Sequence, residues 1–254
     1  MGQKKFLLST MSPKAAEVAK ANGLGLEIAE FCTAFNFDKY FEETNRQVCR
    51  EIEGVELLTF HAAFNELFPC AIDLKVREIA GFRYRQASEA AKGYGTGKVV
   101  IHSGYTPTLY YPIWFEEQSI EFWKEFIQDV PQDVTICVEN VFEQEPEALL
   151  HILEQVNDPR FRMCMDIGHV SAYSEIPVTE WLEAFAPWIA HFHIHNNDGT
   201  VDSHQPLPEG KIPMKQVLTR AMEICPGATY TMELMEPESS VEWLKAEGFL
   251  EEEK

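Results

Sequence analysis

Residues 192–204 read FHIHNNDGTVDSH, placing three imidazoles (His193, His195, His204) and two carboxylates (Asp198, Asp202) directly after the apolar lead-in Trp188-Ile189-Ala190. An apolar run of that kind is what a buried strand requires, and polar ligands at its end suggest a site. On a strand the period of two turns His193 and His195 to the same face. Asp198-Gly199 then turns the chain, and Asp202-x-His204 brings back a second pair of ligands. Imidazole and carboxylate together suit zinc, manganese or iron better than a metal that prefers thiolate. A single histidine at a strand end would as readily bond a neighbouring backbone group. A cluster that recurs at other strand ends would not.

That recurrence decides the fold. Eight apolar runs, at 4–9, 24–31, 55–61, 98–103, 134–140, 161–166, 189–195 and 229–235, read as strands. They alternate with helix-like segments at 12–22, 38–52, 72–93, 115–130, 146–157, 178–186, 213–224 and 238–248. Ser12-Pro13, Glu145-Pro146 and Thr179 supply helix start signals. Alternation alone fits either an open doubly wound sheet or a closed barrel. The ligand-type residues separate the two, because six successive runs end in one. The third ends in His61 and the fourth in His102-Ser103-Gly104. The fifth ends in Glu139-Asn140, the sixth in Asp166-Ile167-Gly168-His169, the seventh in the opening cluster and the eighth in Glu233. A parallel barrel gathers its chemistry at the carboxyl ends of its strands, whereas an open sheet leaves some of those ends too far apart. The expectation is an α/β protein, a single (β/α)8 TIM barrel over residues 1–254, a length that fits the usual size of about 250. His151 falls on the helical segment 146–157 and reads as a surface residue, and His191 lies deeper in its strand with no assigned role.

The 41 acidic and 21 basic side chains give a net charge of −20, a field that repels phosphate backbones. Three bound divalent ions would bring −20 only to about −14, so the sign persists and duplex nucleic acid is not an expected partner. Six cysteines without a C-x-x-C pair read as reduced thiols of a cytoplasmic protein. The start, MGQKKF, lacks a signal-peptide core, and Phe6 breaks the myristoylation pattern. No apolar run reaches the 18 residues of a membrane span.

As a set, HAAFNELFP after the third strand, VVIHSGY, CVEN, CMDIGH, HIHNNDGTVDSH and the late MEL resemble the xylose isomerase-like barrel superfamily, which holds endonuclease IV and many sugar isomerases and epimerases. The resemblance covers nearly the whole chain. It implies a (β/α)8 fold with divalent metal at the mouth, ligated by His61, His102, Glu139, Asp166, His169, His193, Asp202, His204 and Glu233. In the isomerase and epimerase branch it implies one ion on Glu139, Asp166, the strand-seven histidine and Glu233. In the endonuclease branch it implies a three-zinc cluster using all nine. The superfamily's strand-seven pattern fits His193-Ile194-His195-Asn196 best, so His193 is taken as the ligand and His195 as a neighbour that faces substrate. Glu233 follows the apolar lead-in and is preferred to Glu236. Two departures weaken a DNA role: Leu207-Pro208-Glu209-Gly210 replaces a glycine-x-glycine turn, and FCTAFNFDKYFEET after the second strand is acidic where the endonuclease has basic gripping loops.

The favoured expectation is a sugar or sugar-phosphate isomerase or epimerase using one to three zinc or manganese ions, with Glu139 and Glu233 moving a carbon-bound proton. Tyr105, Tyr110, Tyr111 and Trp114 offer aromatic faces for a sugar, with Tyr105 and Trp114 the chosen contacts beside His195, or else form an apolar lid or subunit contact. Further copies of the chain are compatible partners. The alternative is a multinuclear zinc phosphoesterase like endonuclease IV, favoured by Asp202, His204 and His169. A barrel that only binds metal or a partner has least support, because the whole site set is intact.

Overall fold

The computed structural model describes residues 5–251. The readings placed on Met1 to Lys4 lie outside them. Eight parallel strands pair in chain order and close, β1 (Phe6–Ser9) joining β8 (Thr229–Met232) through Phe6 and Tyr230. Between them run β2 (Gly25–Ile28), β3 (Leu58–His61), β4 (Lys98–His102), β5 (Thr135–Glu139), β6 (Phe161–Asp166) and β7 (Ile189–Ile194). The fold is a single (β/α)8 barrel.

Strand alternation sorts the side chains into two layers. Leu8, Leu26, Phe60, Ile101, Val138, Met165, Phe192 and Met232 face outward into the large core beneath the helices. The inward set is unusual for a barrel, whose interior ordinarily stacks branched aliphatics. Val100, Cys137 and Cys164 form a small apolar cluster there, while Glu27, Thr59, His191 and Thr231 are buried polar groups. A bulge between β6 and β7 shifts the register after Met163, so that His191 pairs with Cys164 and His193 with Asp166. The shift sets His193 beside a mouth carboxylate.

The helices are α1 (Ala15–Ala21), α2 (Ala34–Asp38), α3 (Phe41–Glu51), α4 (Leu74–Gly93), α5 (Pro112–Asp129), α6 (Glu147–Val156), α7 (Ile167–Tyr173), α8 (Val178–Phe185), α9 (Met214–Ile224) and α10 (Glu238–Ala246). Several depart from the sequence expectation. The helix expected at 38–52 is α3, and ahead of it lie a short α2 and a 3-10 turn at Glu30–Cys32 that were not expected, where Phe31 folds back onto Phe37 with ring centroids 4.4 Å apart. The α5 helix begins at Pro112 instead of 115, since a proline costs nothing at a first turn whose N–H groups are free. The α8 helix starts at Val178 behind Pro177, which leaves Thr179 inside it and not at its cap. The α7 helix was not expected at all. Its seven residues are too few to show a period, and it exists because the Asp166 side chain accepts from His169 N at 2.6 Å. All six cysteines are unpaired, and among the described residues no helix is long and apolar enough to cross a membrane.

Candidate functional site

Glu139, at the end of β5, is the hub of the mouth. Its side chain is 1% exposed, and its Oε2 lies 3.4 Å from His61 Nε2 and 3.5 Å from His102 Nε2. Its Oε1 lies 3.2 Å from His193 Nδ1 and 3.4 Å from His169 Nδ1. Neither oxygen has a hydrogen-bond partner. A buried carboxylate with bare oxygens facing four imidazoles is costly unless something positive lies among them.

Asp166 ends β6 and divides its oxygens. One caps α7, and the other lies 3.2 Å from His195 Nε2 and 3.9 Å from His193 Nδ1. The loop after β7 supplies Asp202, whose Oδ2 sits 3.1 Å from His204 Nε2 and 3.2 Å from His169 Nε2, with Oδ1 3.5 Å from His195 Nε2. Glu233, just past β8, brings Oε1 to 3.6 Å from His193 Nδ1. All nine residues expected as ligands therefore meet at one mouth. The two histidines of β7 serve different sides of it: His193 faces Glu139, Asp166 and Glu233, and His195 faces Asp166 and Asp202.

Backbone carbonyls set the imidazole tautomers. A carbonyl oxygen can only accept, so Nδ1 of His61 donates to Ala62 O, that of His169 to Asn140 O and that of His204 to Glu233 O, each at 2.8 Å. Each ring thus presents Nε2 to the carboxylates, an arrangement typical of metal-binding histidines. His204 reaches its place with a φ of 45°, in the left-handed region that a histidine seldom enters. Gly168 is needed for a separate reason, since a Cβ there would lie 1.9 Å from His195 Cε1. Asn140 clamps Asp166 from both sides, donating to its carbonyl at 3.0 Å and accepting from its N–H at 2.9 Å.

The charge states differ across the mouth. Burial pushes Glu233 above the usual carboxylate range, with the Glu139 carboxylate adding to the rise. Burial would do the same to Glu139, but His193 and His102 hold it well below that range. Burial takes His102 down to about 3. Burial also opposes charge on His204, yet Asp202 and Glu233 raise it to about 9.

The donor set passes a direct test of fit to a metal ion. His61, Glu139 and His193 bring ligand atoms within 4.8 Å of one another, as do Asp166, His169 and His195, and also His195, His204 and Glu233. Oxygen and imidazole donors of this kind suit zinc or manganese. Above them opens a cavity of about 410 Å³ walled by Met11, Phe64, Val141, Phe142 and Tyr173. Tyr105 and Trp114 are not in that wall. Tyr105 packs on Phe115 with centroids 4.8 Å apart, and Trp114 donates to Cys70 O at 2.8 Å. Tyr110 is buried against Phe68, and Tyr111 points outward, 82% exposed. His151 lies at the surface beside Glu116, and Glu236 is exposed.

Sequence reading passed over Glu27. It is fully buried on β2, with its Oε1 3.0 Å from His193 Nε2. The signal was present, a lone carboxylate inside the apolar run LGLEIA, yet it falls in mid-strand and not at the strand end where the search was directed.

A closed parallel barrel whose carboxyl mouth gathers imidazoles and carboxylates able to hold a metal ion defines a class of barrel, and its relatives specify the kind. The xylose isomerase-like TIM barrel family matches residues 18–247, and the chain belongs to that family. An uncharacterised protein of Methanocaldococcus jannaschii is 29% identical over 233 residues, 86% of this chain and 77% of that protein. The fructoselysine 3-epimerase of Escherichia coli O157:H7 is 27% identical over 165 residues, 59% of each chain. Among solved structures, a D-tagatose 3-epimerase-like protein superposes with a TM-score of 0.78 at 25% identity, covering 96% of both chains.

Proposed function

We propose that this protein is a divalent-metal-dependent epimerase or isomerase of a small sugar. The observation that carries the reading is the pair of carboxylates, Glu139 buried and Glu233 partly exposed, flanking one imidazole nitrogen at 3.2 and 3.6 Å while holding protons with opposite tendencies. Its support from relatives is the epimerase named among them.

Glu139, Asp166, His193 and Glu233 would hold a principal zinc or manganese ion. His61, His102, His169, Asp202 and His204 would hold one or two more or bond substrate hydroxyls. A bound ion supplies Lewis acidity, which lowers the pKa of a C–H bond beside a carbonyl. The residues do the rest. Glu139, ionised, takes the carbon-bound proton, and the electron pair of that bond passes into an enediolate. Glu233, whose pKa is raised, returns a proton to the same carbon from the opposite face, which inverts it. Two carboxyl groups whose surroundings push their pKa values apart divide acid from base in this way. Phe64, Phe142 and Tyr173 offer apolar faces to the sugar's C–H groups, while His195, fully buried and outside the cavity wall, steadies Asp166 and Asp202 from beneath. Tyr105 and Trp114 act from behind that wall, buttressing the loop at the mouth.

Incubation with a panel of ketoses in D2O, followed by NMR, tests the reading. Deuterium entering at the carbon beside the carbonyl together with the epimer is expected, lost with chelator and restored by zinc or manganese. Absence of exchange with every ketose, alongside cleavage of a phosphate ester, would favour the hydrolase reading that the Asp202, His169 and His204 cluster keeps open.

A further inference from the structure

Glu27 lies inside the barrel beneath the mouth, 0% exposed, where a carboxylate is expensive unless its oxygens are matched. Its Oε2 is held from three strands. Thr59 on β3 donates to it at 2.8 Å, Thr231 on β8 at 3.3 Å, and His191 Nε2 on β7 lies 3.2 Å away. His191 is itself fixed, with Nδ1 2.7 Å from Thr229 Oγ1 and Nε2 2.9 Å from Thr231 Oγ1. Lys98 closes the network at the amino end of the barrel, donating to Thr229 Oγ1 at 2.9 Å and to Ala190 O at 2.8 Å. On this side of the barrel interior, across from the Val100, Cys137 and Cys164 cluster, apolar layering gives way to a polar column, and the column ends at His193.

The two oxygens of Glu27 are used differently. Oε2 is anchored to the column, whereas Oε1 makes no hydrogen bond and stands in ion-pair contact, 3.0 Å from His193 Nε2, an atom that has no other hydrogen-bond partner. The other nitrogen of that ring, Nδ1, has three carboxylates within 3.9 Å. A neutral imidazole carries one proton, and if Nδ1 joins the three carboxylates around it as a ligand, that proton belongs on Nε2, toward Glu27. We propose that Glu27 is a positioning residue for the mouth: it holds the proton of His193 on Nε2 and so presents the Nδ1 lone pair to the space between Glu139, Asp166 and Glu233. The inference rests on His193 as a metal ligand and adds what orients it. It also separates His193, with Glu27 behind it, from His195, whose Nε2 lies 3.2 Å from Asp166 and whose ring stacks on His204 with centroids 3.9 Å apart.

Long-range proton–nitrogen NMR of the full chain labelled at histidine nitrogen, with zinc affinity measured by competition against a chromogenic chelator, tests this. In the metal-free wild type, His193 Nε2–H should be shifted downfield and protected from exchange. Zinc should move Nδ1 and leave the proton on Nε2. Glu27→Gln, which keeps an acceptor but removes the charge, should move the Nε2–H signal upfield. It should also weaken zinc binding by about 10- to 100-fold. Zinc affinity within twofold of wild type in a folded Glu27→Gln protein would overturn the proposal. The wild type alone decides the matter if that variant does not fold. A zinc-shifted ring with its proton on Nδ1 refutes the role of Glu27 only, whereas a ring that zinc shifts at neither nitrogen removes His193 as a ligand and the proposal with it.

Discussion

Gly168→Ala should damage the site through a single methyl group. The added Cβ would sit 1.9 Å from His195 Cε1, with both ring nitrogens at 2.4 Å. Carbon atoms in contact need about 3.5 Å, so the ring would have to retreat by roughly 1.5 Å. There is no room for that, because His195 is fully buried and stacked on His204. A retreat also breaks the 3.2 Å approach to Asp166 and the 3.5 Å approach to Asp202. Overpacking costs about 1–3 kcal/mol, and a lost hydrogen bond to a charged group about 1.5–3. The expected loss is then about 3–5 kcal/mol, which in a chain of this size lowers Tm by roughly 6–20 °C. The assay is thermal and urea denaturation of metal-free protein followed by circular dichroism, in a cycle with His195→Ala. Without the ring the clash is gone, and alanine should become better than glycine inside α7 by about 0.5–1 kcal/mol. The sign of the Gly168→Ala effect should therefore reverse between the two backgrounds. Equal losses in both would refute the packing argument.

Glu139→Gln is isosteric and should leave Tm within a few degrees of wild type, while sugar turnover falls about 10²- to 10⁴-fold; unchanged turnover would remove Glu139 from the mechanism. Asp202→Asn and His204→Ala should weaken activity yet retain the principal ion, which elemental analysis of the purified variants checks. Away from the mouth, burial and then the Glu51 carboxyl raise Glu30 to about 8, while Thr10 donates to it at 2.7 Å. A carboxyl with a raised folded-state pKa stabilises the fold below its unfolded value near 4.5 relative to alkaline pH, and that stability is lost as pH climbs through about 8. Glu30→Gln should accordingly be more stable than wild type to thermal unfolding at pH 8.5, by a free energy on the order of a few kcal/mol, with the difference shrinking toward pH 5.

Much of this molecule was legible before the structure. The barrel followed from where His61, His102, Glu139, Asp166 and Glu233 fall relative to apolar runs, because a ligand at a strand's carboxyl end constrains topology in a way that periodicity does not. The α7 helix was not legible, since it depends on one side-chain cap from Asp166 and not on a pattern. The short α2 ahead of α3 was set by contacts of Phe31 and Phe37 across a turn, which no spacing rule reports. Glu27 and His191 escaped for a similar reason: a polar residue in mid-strand acquires its meaning from partners on β3, β7 and β8, far away in sequence. The aromatic loop shows the converse error, because Tyr105 and Trp114 were placed near the mouth by position alone while their rings turn into packing contacts behind it.

The central claim is that one ion, held by Glu139, Asp166, His193 and Glu233, sustains proton transfer on a sugar. Its most direct test is a titration of metal-free protein with zinc or manganese, in which ions bound per chain and solvent deuterium entering a ketose are followed together. Exchange should rise with the first ion and be complete at one per chain. Exchange absent at one ion, with cleavage of abasic DNA or another phosphodiester emerging only at two or three zinc per chain, would contradict it.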